Sequence, residues 1–128
     1  HVRKHDFEDT VLELRRVLKP NGACSHRIDL RDHLSASLNN LRFSNAVWES
    51  HFFASSGFYT NRLGFGEMLA KFKATGFEVE VGQVDRWQRP PLPRGKLALD
   101  FAHRTEDDLT VSGFNVVLRP VPNLSDGL

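Results

Sequence analysis

Apolar residues recur at intervals of three and four positions in two stretches of the chain, residues 7–18 and residues 65–75. The apolar positions that fall on one side of a helix in these stretches are Phe7, Val11, Leu14, Leu18, Phe65, Met68, Leu69 and Phe72. A repeat of this period brings side chains onto a single helical face. We therefore predict two amphipathic helices, each of which packs one face against a core.

Three further segments favour β-strands: residues 23–30, 77–84 and 111–119. In the second segment Phe77 and Val79 alternate with the charged Glu78, which is typical of a strand with one exposed face. Alternating helices and strands predict the α/β class. At this length we expect one domain over residues 1–120, followed by a frayed tail over residues 121–128.

Residues that cap or break helices indicate where these elements end. Asp6 is expected to cap the first helix, with Asp9 three positions later as the second half of a capping box. Pro20 prevents the helix from continuing, and Gly22 permits a left-handed turn. Gly76 is expected to end the second long helix before the strand that follows.

The segment between the first strand and the second long helix, residues 31–62, is longer than a simple connection requires. Within it we predict one helix over residues 44–53, capped by Ser44, with Val47, Trp48 and Phe52 on one side. Since the segment leaves the carboxyl end of a strand, where open α/β sheets bind ligands, it is expected to form a wall or lid of a substrate site. The alternative is a packing subdomain that only covers apolar surface.

Two more short helices are predicted after the second strand. A proline-rich connector precedes the first of them, over residues 96–102. The other covers residues 105–109, where Thr105 and Asp108 have the spacing of a capping box.

Two landmarks resemble the class I S-adenosylmethionine-dependent methyltransferases. The run from Leu14 to Gly22, LRRVLKPNG, is similar to the Leu-x-x-Val-Leu-Lys-Pro-Gly-Gly run before that family's fifth strand. Asn21 replaces the first glycine of the run, and asparagine tolerates the same backbone region. Gly76 and Phe77 resemble the Gly-Phe turn before the family's sixth strand. The resemblance covers residues 1–119 and corresponds to the C-terminal half of the family's domain.

This resemblance implies a partial Rossmann-like sheet with flanking helices. The sheet would be mixed, with strand 111–119 antiparallel between strand 23–30 and strand 77–84. Strand 23–30 would then have one edge without a partner. Unpaired strand edges favour association with another chain, so we expect a homo-oligomer formed through this edge or through the apolar face of the first helix.

The resemblance also implies a function: transfer of a methyl group to a small-molecule or sugar-like acceptor, with S-adenosyl-L-methionine as cofactor. The family's glycine-rich loop and acidic ribose-binding residue belong to its N-terminal half, and neither occurs in this sequence. The chain alone is therefore expected to be inactive and to bind the cofactor poorly. The alternative is a non-enzymatic α/β interaction module derived from the same half-fold. The acceptor atom stays open, because oxygen, nitrogen, carbon and sulfur acceptors share this scaffold.

Polar residues cluster at the end of the first predicted strand. Asp29 and His33 lie where a substrate pocket is expected, and we predict catalytic roles for them, since histidine is the most available base near neutral pH. His26 and Arg31 are predicted to bind substrate.

Further candidates lie near the ends of the insertion and of the chain. Tyr59, Asn61 and Arg62 could offer hydrogen bonds to an acceptor, although Tyr59 is equally well explained as a core aromatic with its hydroxyl at the surface. His1 and Val2 are similar to the end of the family's Glu-His-Val run and are candidates for cofactor contact.

Composition limits the kinds of partner and the cellular compartment that we expect for the chain. The chain carries 17 basic and 16 acidic residues, so no nucleic-acid interface is expected. No stretch reaches the length of a membrane span. The single cysteine, Cys24, excludes an internal disulfide, is expected to be a small buried residue, and suits a cytoplasmic location.

Two other patterns, a group of possible metal ligands and a Gly-x-Gly motif, do not predict binding sites. No metal site is expected, because strand spacing places His26 and Asp29 on opposite faces and one cysteine cannot form a thiolate cluster. Gly64 and Gly66 form a Gly-x-Gly that no apolar strand precedes, so we interpret it as a flexible entry to a helix and not as a nucleotide-binding loop.

Overall fold

The computed structural model of the protein describes residues 2–122. The helices and strands in these residues are α1 (Phe7–Val17), β1 (Cys24–Asp29), α2 (Asn45–Trp48), α3 (His51–Ala54), α4 (Phe65–Ala74), β2 (Phe77–Arg86), α5 (Glu106–Leu109) and β3 (Val111–Pro120). Four 3-10 turns accompany them, Lys4–Asp6, Asn39–Arg42, Arg94–Lys96 and Leu99–Phe101. The predicted α/β class is confirmed. Both long helices and all three strands lie where the hydrophobic pattern places them.

The strands form one sheet in the order β1-β3-β2, with β3 antiparallel to both neighbours. Phe114 in the middle of β3 lies opposite Ile28 on one side and Val84 on the other. The predicted order, with the last strand antiparallel between the other two, is confirmed. The sheet is antiparallel and not mixed, because β1 and β2 run in the same direction but do not pair with each other.

The apolar face of the sheet packs under both long helices. Phe114, Val116 and Leu118 occupy alternate positions along β3 and are fully buried. The buried residues that join them in one core are Phe7, Val11, Leu63, Met68, Phe72, Phe77 and Val111. Since α1 and α4 contribute to the same cluster, both helices cover the same face of the sheet. Cys24 packs against this core but is only partly buried, so it is less buried than expected.

The opposite face of the sheet is polar among the described residues. Arg119 forms an ion pair with Glu80 at 2.8 Å, and Arg27 forms one with Asp85 across the strands. Asn115, at the centre of β3, is exposed on this face. The alternation of polar and apolar residues therefore gives a sheet with one buried and one hydrated face.

The ends of α1 differ in part from the prediction. Asp6 precedes the helix but makes no side-chain capping bond, and its carboxylate lies 3.4 Å from His5 Nε2. The capping box with Asp9 is therefore wrong. At the other end Leu18 turns to an extended conformation two residues before Pro20, so the helix ends before the proline that could not continue it.

Among the glycines of residues 2–122, Gly76 alone has a positive φ, 97°. It provides the left-handed turn between α4 and β2, which confirms the predicted break. The left-handed turn predicted at Gly22 is wrong. The Gly22 amide instead donates a hydrogen bond of 2.8 Å to the carbonyl of Lys19, which closes a tight turn without that conformation.

A second, smaller core joins the insertion to the β2–β3 connection. Its buried members are Leu38, Leu41, Leu92, Phe101 and Leu109. The insertion therefore does provide packing, since it contributes two leucines to a core shared with a distant segment. Ala98 donates a backbone hydrogen bond of 2.9 Å to Leu41, which ties the two segments together directly.

The short helices follow the prediction only in part. Ser44 and Thr105 cap α2 and α5 as predicted, by accepting hydrogen bonds from Val47 and Asp108 amides. The helix predicted over residues 44–53 is two separate turns, α2 and α3. Trp48 is buried, but Val47 and Phe52 are exposed, so the expected common face is wrong. The helix predicted over residues 96–102 is replaced by two 3-10 turns.

At the carboxyl end, the first residue of the predicted tail, Val121, is held in place by two hydrogen bonds. The Val121 amide donates to the carbonyl of Gly76 at 2.9 Å, and its own carbonyl accepts from Arg15 at 2.8 Å. Residues 123–128 of the predicted tail lie outside the described residues.

Candidate functional site

A cleft of about 510 Å³ opens beside the carboxyl end of β1. Its walls come from the end of β1, the segment after it, the last residues of the insertion and the start of the chain. The predicted site residues that line it are Val2, Asp29, Arg31, His33, Asn61 and Arg62. Residues from three separate parts of the sequence thus meet at the end of one strand, where an α/β sheet commonly binds its ligand.

Asp29 and Arg31 form a two-point ion pair at this cleft. Arg31 Nε lies 3.0 Å from Asp29 Oδ1, and Arg31 Nη2 lies 2.9 Å from Oδ2. The Arg31 amide adds a third hydrogen bond of 3.0 Å to Oδ1. The hydrogen bonds from Arg31 hold the pKa of the Asp29 carboxyl below its ordinary value. Asp29 is therefore a fixed hydrogen-bond acceptor and a poor proton acceptor near neutral pH.

A second ion pair, between Arg27 and Asp85, lies beside the first. Gln83 donates to Asp85 at 2.8 Å, and this bond together with Arg27 lowers the pKa of Asp85. Arg27 reaches Asp85 by passing over Gly113 in the central strand, where a Cβ atom would lie 2.8 Å from Arg27 Nη2. The absence of a side chain at Gly113 thus permits the contact. Sequence reasoning missed this pair, because its members are 58 residues apart.

His33 is exposed at the cleft, directly after the turn that leaves β1. Its Nδ1 atom lies 3.5 Å from the carbonyl oxygen of Gly57. Because Gly57 belongs to the far end of the insertion, the imidazole spans the two ends of that segment. The position makes His33 the one imidazole among the described lining residues.

Asn61 joins two walls of the cleft. Its Nδ2 atom donates to the carbonyl of Val2 at 3.2 Å, and its Oδ1 atom accepts from the Leu63 amide at 3.1 Å. Both ends of the amide are therefore engaged within the protein. Asn61 positions the start of the chain against the insertion, and Val2 lines the cleft. His1 lies outside the described residues.

The side chain of Arg62 points away from the cleft, into the space behind its wall. It is 6% exposed and has a left-handed backbone, with φ 58°. The guanidinium lies 4.9 Å from the ring centre of Trp48 and 4.6 Å from that of Phe101. It donates to the carbonyls of Asn40 at 2.8 Å and Phe43 at 2.7 Å. Arg62 therefore joins the insertion to the second core.

Burial lowers the pKa of Arg62 to about 10. A third hydrogen bond, of 2.9 Å, goes to Asn45 Oδ1, and Arg104 donates to the Arg62 carbonyl. The Arg104 guanidinium lies 4.7 Å from the ring centre of Phe101. The phenyl ring of Phe101 therefore contacts two guanidinium groups, those of Arg62 and Arg104. With its donors engaged in this way, the Arg62 side chain supports the wall of the cleft.

Two predicted residues are not brought to the cleft. Tyr59 is 4% exposed, and its hydroxyl accepts from the Lys4 amide at 3.1 Å and donates to Glu49 at 2.8 Å. Burial raises the pKa of Tyr59. His26 is exposed on β1 opposite Val116, away from the lining residues.

Asp32 was not predicted as important, yet it organises the start of the insertion. The residue is 4% exposed. Its carboxylate accepts from the amides of Ser35 and Ser37 at 3.0 Å each and from Asn40 at 3.1 Å. Burial would raise the pKa of Asp32, but these hydrogen bonds outweigh it and the pKa is lowered. An aspartate followed by serine three positions on is a signal for such a turn.

The Gly-x-Gly at Gly64 and Gly66 has a structural reason. The Gly66 amide, in the first turn of α4, donates to Asp108 Oδ1 at 2.8 Å. A Cβ atom on Gly64 would lie 2.8 Å from the other oxygen of the same carboxylate. The glycines thus admit Asp108 to the positive end of the helix, the position that a phosphate takes in nucleotide-binding loops.

Among residues 2–122, the His, Cys, Asp and Glu side chains form no group of three that could hold a metal ion. The helices within the same residues also lack the length and apolar content that a membrane crossing needs. Comparison of the chain with protein-family models, with curated proteins and with solved structures finds no match in any of the three.

Proposed function

We propose that the chain is the C-terminal half of a class I S-adenosylmethionine-dependent methyltransferase domain, which transfers a methyl group to a small-molecule or sugar-like acceptor. The observation that carries the proposal is the strand order β1-β3-β2, with the last strand antiparallel between the other two. This is the order that the resemblance implies. The motif at residues 14–22 leads into β1, and Gly76 leads into β2, as in the family's pattern.

Methyl transfer is an in-line displacement, so the protein mainly aligns donor and acceptor and removes a proton where the acceptor requires it. In this proposal His33 is the proton acceptor, since it is an imidazole exposed at the cleft. Asp29 and Arg31 bind the acceptor by hydrogen bonds. Arg62 and Tyr59 maintain the wall, because their polar groups are engaged inside the protein.

S-adenosyl-L-methionine would supply the methyl group as a sulfonium. The described residues offer little to hold it: the N-terminus of α4 is already occupied by Asp108, and Val2 is the one predicted cofactor contact that lines the cleft. In the proposal most cofactor contacts come from the half of the domain that precedes this chain. The chain alone is expected to be inactive, and a cytoplasmic location accords with the free Cys24.

The outer edge of β1 supports the view that the sheet continues. The Leu30 amide donates a hydrogen bond of 2.9 Å to the Ser112 carbonyl of β3. In an antiparallel strand every second residue directs its backbone N–H and C=O groups to the partner strand, and the residues between them direct theirs to the other side. By that alternation the backbone groups of Ser25, Arg27 and Asp29 point away from β3. In the complete domain a preceding strand would pair with them. In the isolated chain we propose that two copies associate through this edge, which sedimentation measurements over a range of concentrations would detect.

The test is a methyl-transfer assay on the complete reading frame that encodes these residues. With labelled S-adenosylmethionine and a panel of small acceptors, we expect label to be transferred. We expect His33→Gln to lower kcat more than it lowers cofactor affinity, whereas Glu13→Gln on the exposed side of α1 leaves both unchanged. Absence of any transfer, together with no binding of S-adenosylhomocysteine by the complete protein, would refute the proposal.

The second candidate is a non-enzymatic α/β interaction module. The observation that favours it is the unpaired edge of β1, which could add a strand from a partner. It predicts that the complete protein binds no S-adenosylhomocysteine. Calorimetric titration of the complete protein therefore separates the two candidates.

A further inference from the structure

Two arginines that line the cleft, Arg27 and Arg31, each have their own carboxylate partner, and one of these partners, Asp85, lies outside the lining. Arg31 is paired with Asp29, and Arg27 is paired with Asp85. The remaining cation of the lining, Arg62, has its charge behind the wall among carbonyl oxygens. The cleft therefore presents no excess of either charge to a ligand, although its lining is strongly polar.

The pair formed by Asp29 and Arg31 retains unused hydrogen-bonding capacity. A carboxylate offers about four acceptor positions and a guanidinium about five donors. Arg31 fills three of the acceptor positions of Asp29, two on Oδ1 and one on Oδ2, and spends two of its own guanidinium donors in doing so. One acceptor position on Oδ2 and the outer guanidinium donors stay available side by side. Adjacent acceptor and donor groups in a fixed plane match two neighbouring hydroxyls, each of which can donate and accept.

Part of the cleft lining is apolar, namely Ile28, Leu30, Leu63 and Met68. A ring that carries hydroxyls at its rim and C–H groups on its face would meet both kinds of surface. The volume of about 510 Å³ lies within the range of small-molecule sites.

We propose that this cleft binds a neutral, polyhydroxylated ring through two neighbouring hydroxyls held by Asp29 and Arg31. An anion at the outer guanidinium donors would lie beside the Asp29 carboxylate, and a cation at Oδ2 would lie beside the Arg31 guanidinium. Either ligand meets a like charge, whereas a neutral diol does not. That the bound ring is a methyl acceptor rests on the function proposed above; the binding itself does not.

The experiment is a nitrogen-15 NMR titration of the 128-residue chain with myo-inositol. We expect the amide signals of Arg31 and Asn61 to shift in a saturable way, with a Kd in the millimolar range, as is usual for one small neutral ligand. Asp29→Asn is expected to weaken binding by about tenfold, since it removes the charge from one hydrogen-bonded contact. Glu78→Gln, on the exposed face of β2, is the matched control and should leave the Kd unchanged.

Two competing ligands complete the test. A cyclohexanediol with its hydroxyls on opposite ring carbons should bind more weakly than myo-inositol, and inorganic phosphate should give no saturable shift at these residues. Equal binding of the separated diol, preferential binding of phosphate, or no response to myo-inositol at about 100 mM would overturn the inference. Polyol binding without methyl transfer by the complete protein would refute the proposed function alone. Methyl transfer only to acceptors without neighbouring hydroxyls would refute this inference alone.

Discussion

Replacing Arg62 with alanine is the most direct test of how the insertion is held in place. The guanidinium donates three hydrogen bonds, to the carbonyls of Asn40 and Phe43 and to the side chain of Asn45. It also lies between the rings of Trp48 and Phe101. Alanine removes every one of these contacts. The Asn40 carbonyl keeps a hydrogen bond of 3.3 Å from the Phe43 amide and Asn45 Oδ1 keeps one of 3.4 Å from Lys4, whereas the Phe43 carbonyl loses the donor that Arg62 provides.

The magnitude follows from two opposing effects. A hydrogen bond from a charged donor contributes about 1.5–3 kcal/mol, so the loss of three at about 2 kcal/mol each costs about 6 kcal/mol. Burial lowers the pKa of Arg62 to about 10, and the corresponding cost of holding the charge inside, about 3 kcal/mol, is relieved when the side chain is removed. We therefore expect Arg62→Ala to lower the free energy of unfolding by about 3 kcal/mol.

Two further variants at the same position sharpen the expectation. Arg62→Lys keeps the charge and therefore the cost of burying it, but an ammonium that reaches two of the three oxygens gives up one hydrogen bond, so we expect a loss of about 2 kcal/mol. Arg62→Gly should be about 1 kcal/mol more stable than the alanine variant, because φ at this position is 58° and glycine adopts that conformation without strain.

The assay is urea unfolding followed by tryptophan fluorescence, to which Trp48, directly against the guanidinium, contributes together with Trp87. Arg16→Ala is the control, because Arg16 pairs with Glu13 on the exposed surface of α1 and its removal should leave the midpoint unchanged. If the alanine variant unfolds at the same urea concentration as the unsubstituted protein, or if lysine is as destabilising as alanine, the reasoning about the three hydrogen bonds is refuted.

Two other predictions concern residues that hold loops in place. Gly64→Ala should destabilise the protein by about 1–2 kcal/mol in thermal unfolding, because the new methyl group would lie 2.8 Å from Asp108 Oδ2; Gly57→Ala, which has no atom within 4 Å of the added Cβ, should not, and equal effects would contradict this reading. The pKa of Asp32 is lower folded than unfolded, so its contribution to stability is complete above about pH 4 and is lost as the pH falls through the folded pKa. Urea midpoints should therefore fall less steeply between neutral pH and about pH 2 in Asp32→Asn than in the unsubstituted protein, and parallel pH profiles would count against the three amide bonds to Asp32.

The elements that could be predicted from the sequence are those encoded by local patterns. The helical repeat of apolar residues located α1 and α4, and alternation located the strands. The cap residues Ser44 and Thr105 were also predictable, because a cap acts within three residues of itself. The strand order came from the resemblance, since antiparallel partners such as Ile28 and Phe114 are distant in the chain.

The parts that could not be predicted depend on partners far away in sequence. Gly66 binds a carboxylate 42 residues later, and nothing near the glycine indicates that Asp108 will occupy the helix end. The role of Arg62 was equally hard to predict. Its charge suggested a contact with a ligand, but its guanidinium donates hydrogen bonds to carbonyls within the insertion. The convergence of Asp29, His33 and Asn61 on one cleft was predictable only as a consequence of strand direction.

The hydrated face of the sheet determines how anything could lie against it. Its surface carries opposed charges, such as Arg119 beside Glu80 and Arg27 beside Asp85. A partner protein bound to this face would bury little apolar surface and would have to carry charges complementary to these. Its affinity would therefore decline as ionic strength rises, since screening at about 0.1 M salt already acts over about 10 Å. Salt dependence would distinguish a partner on this face from one bound to the backbone edge of β1, where main-chain hydrogen bonds are far less sensitive to dissolved ions.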